Sequence, residues 1–97
     1  MINITTVTIA ATNVAQALAS TRTPAAWLTL QADPSNAATV YHGTSGVTSS
    51  NGQAIASGGG GGSPQYPPLG NTNPYDLQTI YIVGTANDIV RVMRMVA

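Results

Sequence analysis

The chain has 97 residues with a net charge of zero, and its only charged side chains are three arginines and three aspartates. Nucleic-acid binding is not expected, because neutralising phosphates requires a cluster of basic residues. The absence of cysteine excludes disulfides, thiolate nucleophiles and cysteine-based zinc sites. This length predicts a single domain, residues 1–97.

The first predicted strand covers residues 2–10, which are rich in Ile, Val and Thr. Alternation places Ile2 and Ile4 on one face. Val7 and Ile9 fall on the other face, so we expect a bulge or bend near Thr5-Thr6. Residues 14–18 suit a helical turn as well as a strand, and the β-prone segments on either side of them favour a short strand.

Residues 27–43 predict a β-hairpin, because two β-prone runs flank the turn formed by residues 33–36. Period-2 alternation places Leu28, Leu30 and Ala32 on one face of the first run and the residues between them on the other.

Two short strands are predicted after this hairpin. Residues 47–48 predict a weak one. The Asn51-Gly52 pair predicts a type I′ hairpin turn. Residues 53–56 are then the strand that returns from this turn.

A Gly/Pro-rich loop, residues 57–74, separates the middle of the chain from its last strands. It contains five consecutive glycines, and polyglycine is the most flexible sequence a chain can have. A loop of this length inside a small domain is uncommon and usually indicates a function or disorder.

The last predicted element is a second hairpin, with strands at residues 79–83 and 89–96. In its second strand, Val90 and Val92 face one way, and Arg91, Met93 and Met95 face the other. Both faces are thus partly apolar, so we expect this strand to lie inside a sandwich and to touch a partner. The spacing of the strands predicts an all-β fold, a small antiparallel β-sandwich resembling a jelly roll.

No arrangement of residues indicates catalysis, a cofactor or a metal site, so we do not expect an enzyme. His42 is the only histidine, and no cysteine or glutamate accompanies it. Asp33, Asp76 and Asp88 each lie in or beside a turn, where aspartate usually accepts backbone hydrogen bonds. No two of them have the Asp-x-Asp spacing typical of calcium loops.

Several apolar residues are candidates for an interface. The rings and apolar side chains of the loop either fold back over the core or pack on another chain, since tyrosine is enriched at interfaces. Trp27 is a candidate anchor of the core or of an interface, or alternatively a platform for stacking a sugar. The candidate interface residues are Trp27, Tyr66, Pro67, Pro68, Leu69 and Tyr75.

The edges of the sheets also bear on assembly. Exposed edge strands are usually protected by charges, especially lysine, and this chain has no lysine. We therefore expect stable self-association, with a monomer made soluble by threonine and serine as the alternative. No segment has the ~20 apolar residues of a membrane helix, and residues 1–20 lack the basic start and apolar core of a secretory signal.

Five segments resemble the small β-proteins encoded among the virion genes of tailed phages, several of which are similar to capsid decoration (cement) proteins. The segments are residues 29–36, Val40-Tyr41 with Gly43, residues 52–56, residues 76–77 and residues 80–86. In that pattern the fourth segment follows the third after a short turn, whereas here the Gly/Pro-rich loop intervenes.

The resemblance implies a structural protein that decorates and stabilises a phage capsid as a homotrimer. Its expected partners are the major capsid protein and copies of itself, with neither nucleic acid nor a membrane involved. Its expected location is the outside of the capsid, after synthesis in the host cytoplasm. A tail-fibre or carbohydrate-binding β module is the alternative.

Overall fold

The computed structural model of the protein describes residues 1–55, 66 and 74–96, which form a two-layered β-sandwich. The strands are β1 (Ile2–Thr8), β2 (Gln16–Ala17), β3 (Pro24–Ala32), β4 (Tyr41–Gly43), β5 (Gln53–Ala54), β6 (Tyr75–Asp76), β7 (Tyr81–Val83) and β8 (Ile89–Val96). A single turn of 3-10 helix, Leu77–Thr79, precedes β7. No α-helix occurs within these described ranges, and the predicted all-β antiparallel fold is confirmed.

The strand pairing is nested. The first strand pairs with the last, the second with the seventh, the third with the sixth and the fourth with the fifth, all antiparallel. Two more pairings, of β3 with β8 and of β4 with β7, roll this arrangement into two sheets. Sheet A has the order β1-β8-β3-β6 and sheet B the order β2-β7-β4-β5. Eight antiparallel strands rolled in this way form a jelly roll.

The hairpins predicted at residues 27–43 and 79–96 are wrong, because the two strands of each lie in different sheets. β3 belongs to sheet A, whereas β4 belongs to sheet B and pairs there with β5 and β7. β7 and β8 are divided between the sheets in the same way. Alternation identifies the buried face of a strand but not the sheet to which the strand belongs, because the strands of both sheets turn an apolar face toward the same core. The turns therefore carry the chain between the layers.

The core lies between the two sheets. Leu28, Leu30 and Ala32 of β3 are at most 2 % exposed, and Val90 and Val92 of β8 are fully buried, as alternation predicted. Burying a side chain of this kind stabilises the fold by roughly 1.5–3 kcal/mol. The other buried side chains of this cluster are Ile9, Leu18, Ala25, Val40, Ile55, Leu77, Ile80 and Ile82.

β1 is a regular strand, so the bulge predicted in it is wrong. Its register with β8 is continuous over all seven residues. Val7 packs against the core and Ile9 is buried within it. Ile2 and Ile4 are exposed and belong to the opposite face, so the strand needs no irregularity to account for its two apolar faces.

The short strands in the middle of the chain are only partly as predicted. The strand expected at residues 14–18 is confirmed over Gln16–Ala17 (β2), and the returning strand expected at residues 53–56 is confirmed over Gln53–Ala54 (β5), residue 56 lying outside the described residues. The weak strand expected at residues 47–48 is wrong, because this segment is irregular and only Val47 is buried.

The turn at Asn51-Gly52 also differs from the prediction. A type I′ turn requires a positive φ at Asn51, and Asn51 lies outside that conformation. The amide of Gly52 donates to the carbonyl of Thr48 at 2.9 Å, and the amide of Thr48 donates to Oδ1 of Asn51 at 2.7 Å. The side chain of Asn51 thus closes a wider loop.

Gly52 is required for close packing in this loop. A Cβ atom there would lie 2.6 Å from Cγ2 of Val47 and 2.9 Å from Cβ of Tyr41. We expect Gly52→Ala to lower the free energy of unfolding by about 1–3 kcal/mol through overpacking, measured by urea denaturation. Gly46→Ala is the matched control, because nothing lies within 4 Å of its Cβ position. Equal losses in the two variants would contradict the packing explanation.

Candidate interaction surface

Trp27 lies on the outer face of sheet A, which is turned away from the core. It is half-buried and opposite Met95 of β8, which in turn is opposite Ile2 of β1. Ile4 and Met93 are paired next to them on the same face. These five side chains, Ile2, Ile4, Trp27, Met93 and Met95, therefore adjoin across three neighbouring strands, and we call them the sheet A patch.

Apolar exposure is concentrated around this patch. The large apolar side chains that the described residues expose are Met1 (87 %), Ile2 (47 %), Ile4 (64 %), Val14 (56 %), Met93 (37 %) and Val96 (37 %). All but Val14 belong to β1, β8 or Met1, which precedes β1. Single exposed apolar residues are ordinary, but a contiguous group of them is typical of an interaction site.

The patch borders an open sheet edge. β1 is the outermost strand of sheet A, and no other described strand pairs with its outer side. The amide of Val96 donates to the carbonyl of Met1 at 2.9 Å, so the odd-numbered residues of β1 carry the hydrogen bonds to β8. The even-numbered residues turn their amides and carbonyls outward. Because β1 carries no charged residue, this edge lacks the usual protection against strand pairing.

A closed ion pair lies beside the patch. Arg91 of β8 contacts Asp33 at 2.7 Å. The carboxylate of Asp33 also accepts the hydroxyl of Ser35 at 2.6 Å and the amide of Ser35 at 2.9 Å. These hydrogen bonds from Ser35, together with the contact to Arg91, lower the pKa of Asp33 to about 2. The charged side chains beside the patch are thus paired with each other, and the ammonium of Met1 donates to Sδ of Met95 at 3.3 Å.

Asp33 makes stability depend on acid pH. The pKa of its carboxyl is lower in the folded chain than the ordinary 3.8, so its contribution is present above that pH and is lost as the pH falls toward 2. We expect Asp33→Asn to be less stable than the wild type at pH 7, with the difference shrinking below pH 3.8. Thermal unfolding of both proteins between pH 7 and pH 2 measures it. A difference that stays constant with pH would contradict the hydrogen-bonded carboxylate.

Tyr66 is held to the body of the protein by its backbone and by its side chain. Its carbonyl accepts the amide of Leu28 at 3.0 Å, and its own amide donates to the carbonyl of Leu28 at 3.2 Å. Its hydroxyl lies 2.8 Å from Nδ1 of His42. Its ring is also in edge-to-face contact with His42 and Tyr75, with centroids 5.3 Å apart in each pair.

The hydrogen bond between Tyr66 and His42 joins two neutral groups. His42 is 7 % exposed, and burial lowers its pKa, which favours the neutral ring. Burial raises the pKa of Tyr66, which keeps its hydroxyl protonated. Which of the two atoms donates is set by the tautomer of the imidazole, because a neutral ring carries its proton on one of its two nitrogens.

The structure separates the candidate interface residues. Tyr66 and Tyr75 pack against the protein's own core, whereas Trp27 belongs to the sheet A patch. Pro67, Pro68 and Leu69 lie outside the described residues. Sequence reasoning did not predict that the isoleucines of β1 lie on the surface. The available signal was that alternation places them on the face opposite Val7.

A cleft of about 510 Å³ opens beside the Tyr66–His42 pair. It is lined by His42, Gly43, Thr44, Val47, Asn51, Gln53 and Tyr66. Its polar groups are neutral amides, hydroxyls and one imidazole, which can form hydrogen bonds with a small polar molecule. Among the residues described, no three His, Cys, Asp or Glu side chains group together in a way that could hold a metal ion.

The remaining carboxylates bind backbone amides, as predicted. Asp76 accepts the amides of Thr23 at 2.9 Å and Gln78 at 3.0 Å, and these hydrogen bonds lower its pKa. Asp88 is buried and accepts two successive alanine amides at 2.9 and 3.2 Å. Both side chains thus fasten loops to the sandwich.

Comparison with known proteins adds no relative, because no family model, no curated protein and no solved structure matches the chain. The part of the chain that the structure describes contains no helix that is long and apolar enough to span a membrane.

Proposed function

We propose that the protein is a structural component of a phage virion, which decorates the outside of the capsid as a homotrimer and stabilises it. Its partners are the major capsid protein and copies of itself. The observation that carries this proposal is the sheet A patch, an uncharged apolar surface at an open sheet edge. Jelly rolls are common in viral capsid domains, but a fold does not determine a function, so the surface carries the argument.

The use of the chemically reactive groups also favours a role in assembly. The carboxylates of Asp33, Asp76 and Asp88 all accept backbone amides. Arg94 donates to the carbonyl of Pro24 at 2.8 Å, and Arg91 pairs with Asp33. Groups held in this way stabilise a rigid body, and such a body suits binding better than acid–base catalysis.

Co-sedimentation with phage heads tests this proposal. Heads of the phage whose genome encodes the chain, prepared without the protein, are mixed with it and pelleted. We expect saturable binding and greater resistance of the decorated heads to heat or chelator. A protein that stays in the supernatant with these heads would overturn the proposal.

A carbohydrate-binding or tail-fibre module is the second candidate, because Trp27 lies on an outer face where a sugar could stack. A glycan array is the appropriate measurement. Binding that disappears in Trp27→Ala, while the variant keeps the wild-type circular dichroism spectrum, would favour this candidate over decoration.

A further inference from the structure

We propose that the sheet A patch is the surface through which copies of this chain contact one another. This inference deepens the proposed function and depends on its homotrimer, but not on binding to the capsid. The occupant of the patch is thus a second copy of the same protein.

The two edges of sheet A differ in a way that selects the patch. At the β3 edge, Tyr66 forms two backbone hydrogen bonds with Leu28 and β6 continues the sheet. At the β1 edge, no described strand covers the outward amides. Ile2 and Ile4 are exposed on that same strand, so the apolar side chains and the open backbone groups adjoin.

The charge distribution favours a second copy over a charged partner. Contacts between copies of one surface bring like charges close together, and such contacts are repulsive. None of the five patch side chains is charged, and Arg91 on the same face is paired with Asp33 at 2.7 Å. The ammonium of Met1, which donates to Sδ of Met95 at 3.3 Å, lies at the border of the patch. Two copies therefore bring no charged patch side chains together, whereas the patch side chains offer an acidic or basic partner no complementary group.

The extent of the patch bears on the size of an interface it could form. A stable interface of standard size takes about 800 Å² from each partner, roughly one-seventh of the accessible surface of 5325 Å². The patch extends across three of the four strands of sheet A, and the open edge of β1 adds to it. Its centre holds one tryptophan and two methionines, which are residue types enriched at interfaces.

The experiment compares solution masses by light scattering. The wild type is expected near three times 9.9 kDa. Ile4→Lys places a charge in the patch at a side chain that is 64 % exposed, so we expect a folded monomer. Val14→Lys is the matched control, because Val14 is 56 % exposed but lies outside the patch, and it should keep the wild-type mass. Met93→Lys tests the same surface from β8.

Circular dichroism confirms folding of each variant before its mass is compared. The inference is overturned if both patch variants keep the wild-type mass, if Val14→Lys dissociates as they do, or if the wild type is a monomer. A wild type that is monomeric but still sediments with phage heads would overturn this inference and leave capsid decoration standing. Conversely, a trimer that Ile4→Lys dissociates but that never binds heads would support the contact and contradict decoration.

Discussion

Replacing Tyr66 with alanine is expected to lower the free energy of unfolding by about 3 kcal/mol, as truncation of a well-packed aromatic ring usually does. The ring packs against the core and contacts both His42 and Tyr75. Tyr66→Phe keeps these contacts and removes the hydroxyl that is hydrogen-bonded to His42, so we expect a loss of only about 1 kcal/mol. Urea denaturation of both variants separates packing from hydrogen bonding.

Tyr66→Ala should also change how the free energy of unfolding depends on pH. Because burial lowers the pKa of His42, the unfolded chain binds a proton more readily than the folded one just below pH 6.5. The contribution of the neutral ring is therefore complete above pH 6.5 and is lost as the pH falls below it. Tyr66→Ala uncovers the imidazole, so its stability should depend less on pH between 7 and 5 than that of the wild type. An unchanged pH dependence would contradict the burial of His42 by Tyr66.

Asp88→Ala is expected to lower the free energy of unfolding by about 3 kcal/mol. Its carboxylate is 6 % exposed and accepts the amides of Ala37 at 2.9 Å and Ala38 at 3.2 Å. A hydrogen bond to a charged group contributes roughly 1.5–3 kcal/mol, and leaving a donor unpaired adds to the loss. These two bonds tie the connection between β3 and β4 to the start of β8.

Asp88→Asn is the control for the shape of the side chain. One acceptor remains, and the new amide nitrogen cannot accept from a backbone amide, so its stability should lie between those of the wild type and Asp88→Ala. Asn36 supports the same connection, because its side chain donates to and accepts from the backbone of Ile89 at 2.9 and 2.8 Å. If the alanine and asparagine variants unfold at the same urea concentration as the wild type, the connection is not held by Asp88.

Much of the strand content could be predicted from the sequence, whereas the pairing could not. The alternation in residues 28–32 correctly identified the buried face of β3, and the alternation of Val90 and Val92 correctly identified that of β8. The hairpin predicted at residues 27–43 failed although the amide of Asn36 closes a local turn on the carbonyl of Asp33. The side chains of these two residues also bind Arg91 and Ile89, next to which the turn is fixed. Such contacts join positions more than fifty residues apart and have no local signal.

The candidate site was predictable only in part. The apolar residues on both faces of residues 89–96 indicated a strand that touches a partner, and Met93 and Met95 do belong to the patch. Ile2 and Ile4 were attributed to a bulged strand, because the sequence does not show that β1 is at the edge of its sheet. The bond between Tyr66 and His42 depends on a backbone bridge to Leu28, and alternation does not predict that bridge.

The nested pairing has a consequence for synthesis of the protein. Among the described strands β1 pairs only with β8, and paired residues such as Thr8 and Ile89 are about eighty positions apart. At about 5–20 residues per second, the ribosome delivers β8 roughly 4 to 16 s after β1. During this interval an uncharged, isoleucine-containing strand has neither its partner nor a nearby lysine to oppose wrong pairing. Chains emerging side by side on one messenger RNA would then first meet through β1, so crowding on the polysome should reduce the yield of folded protein.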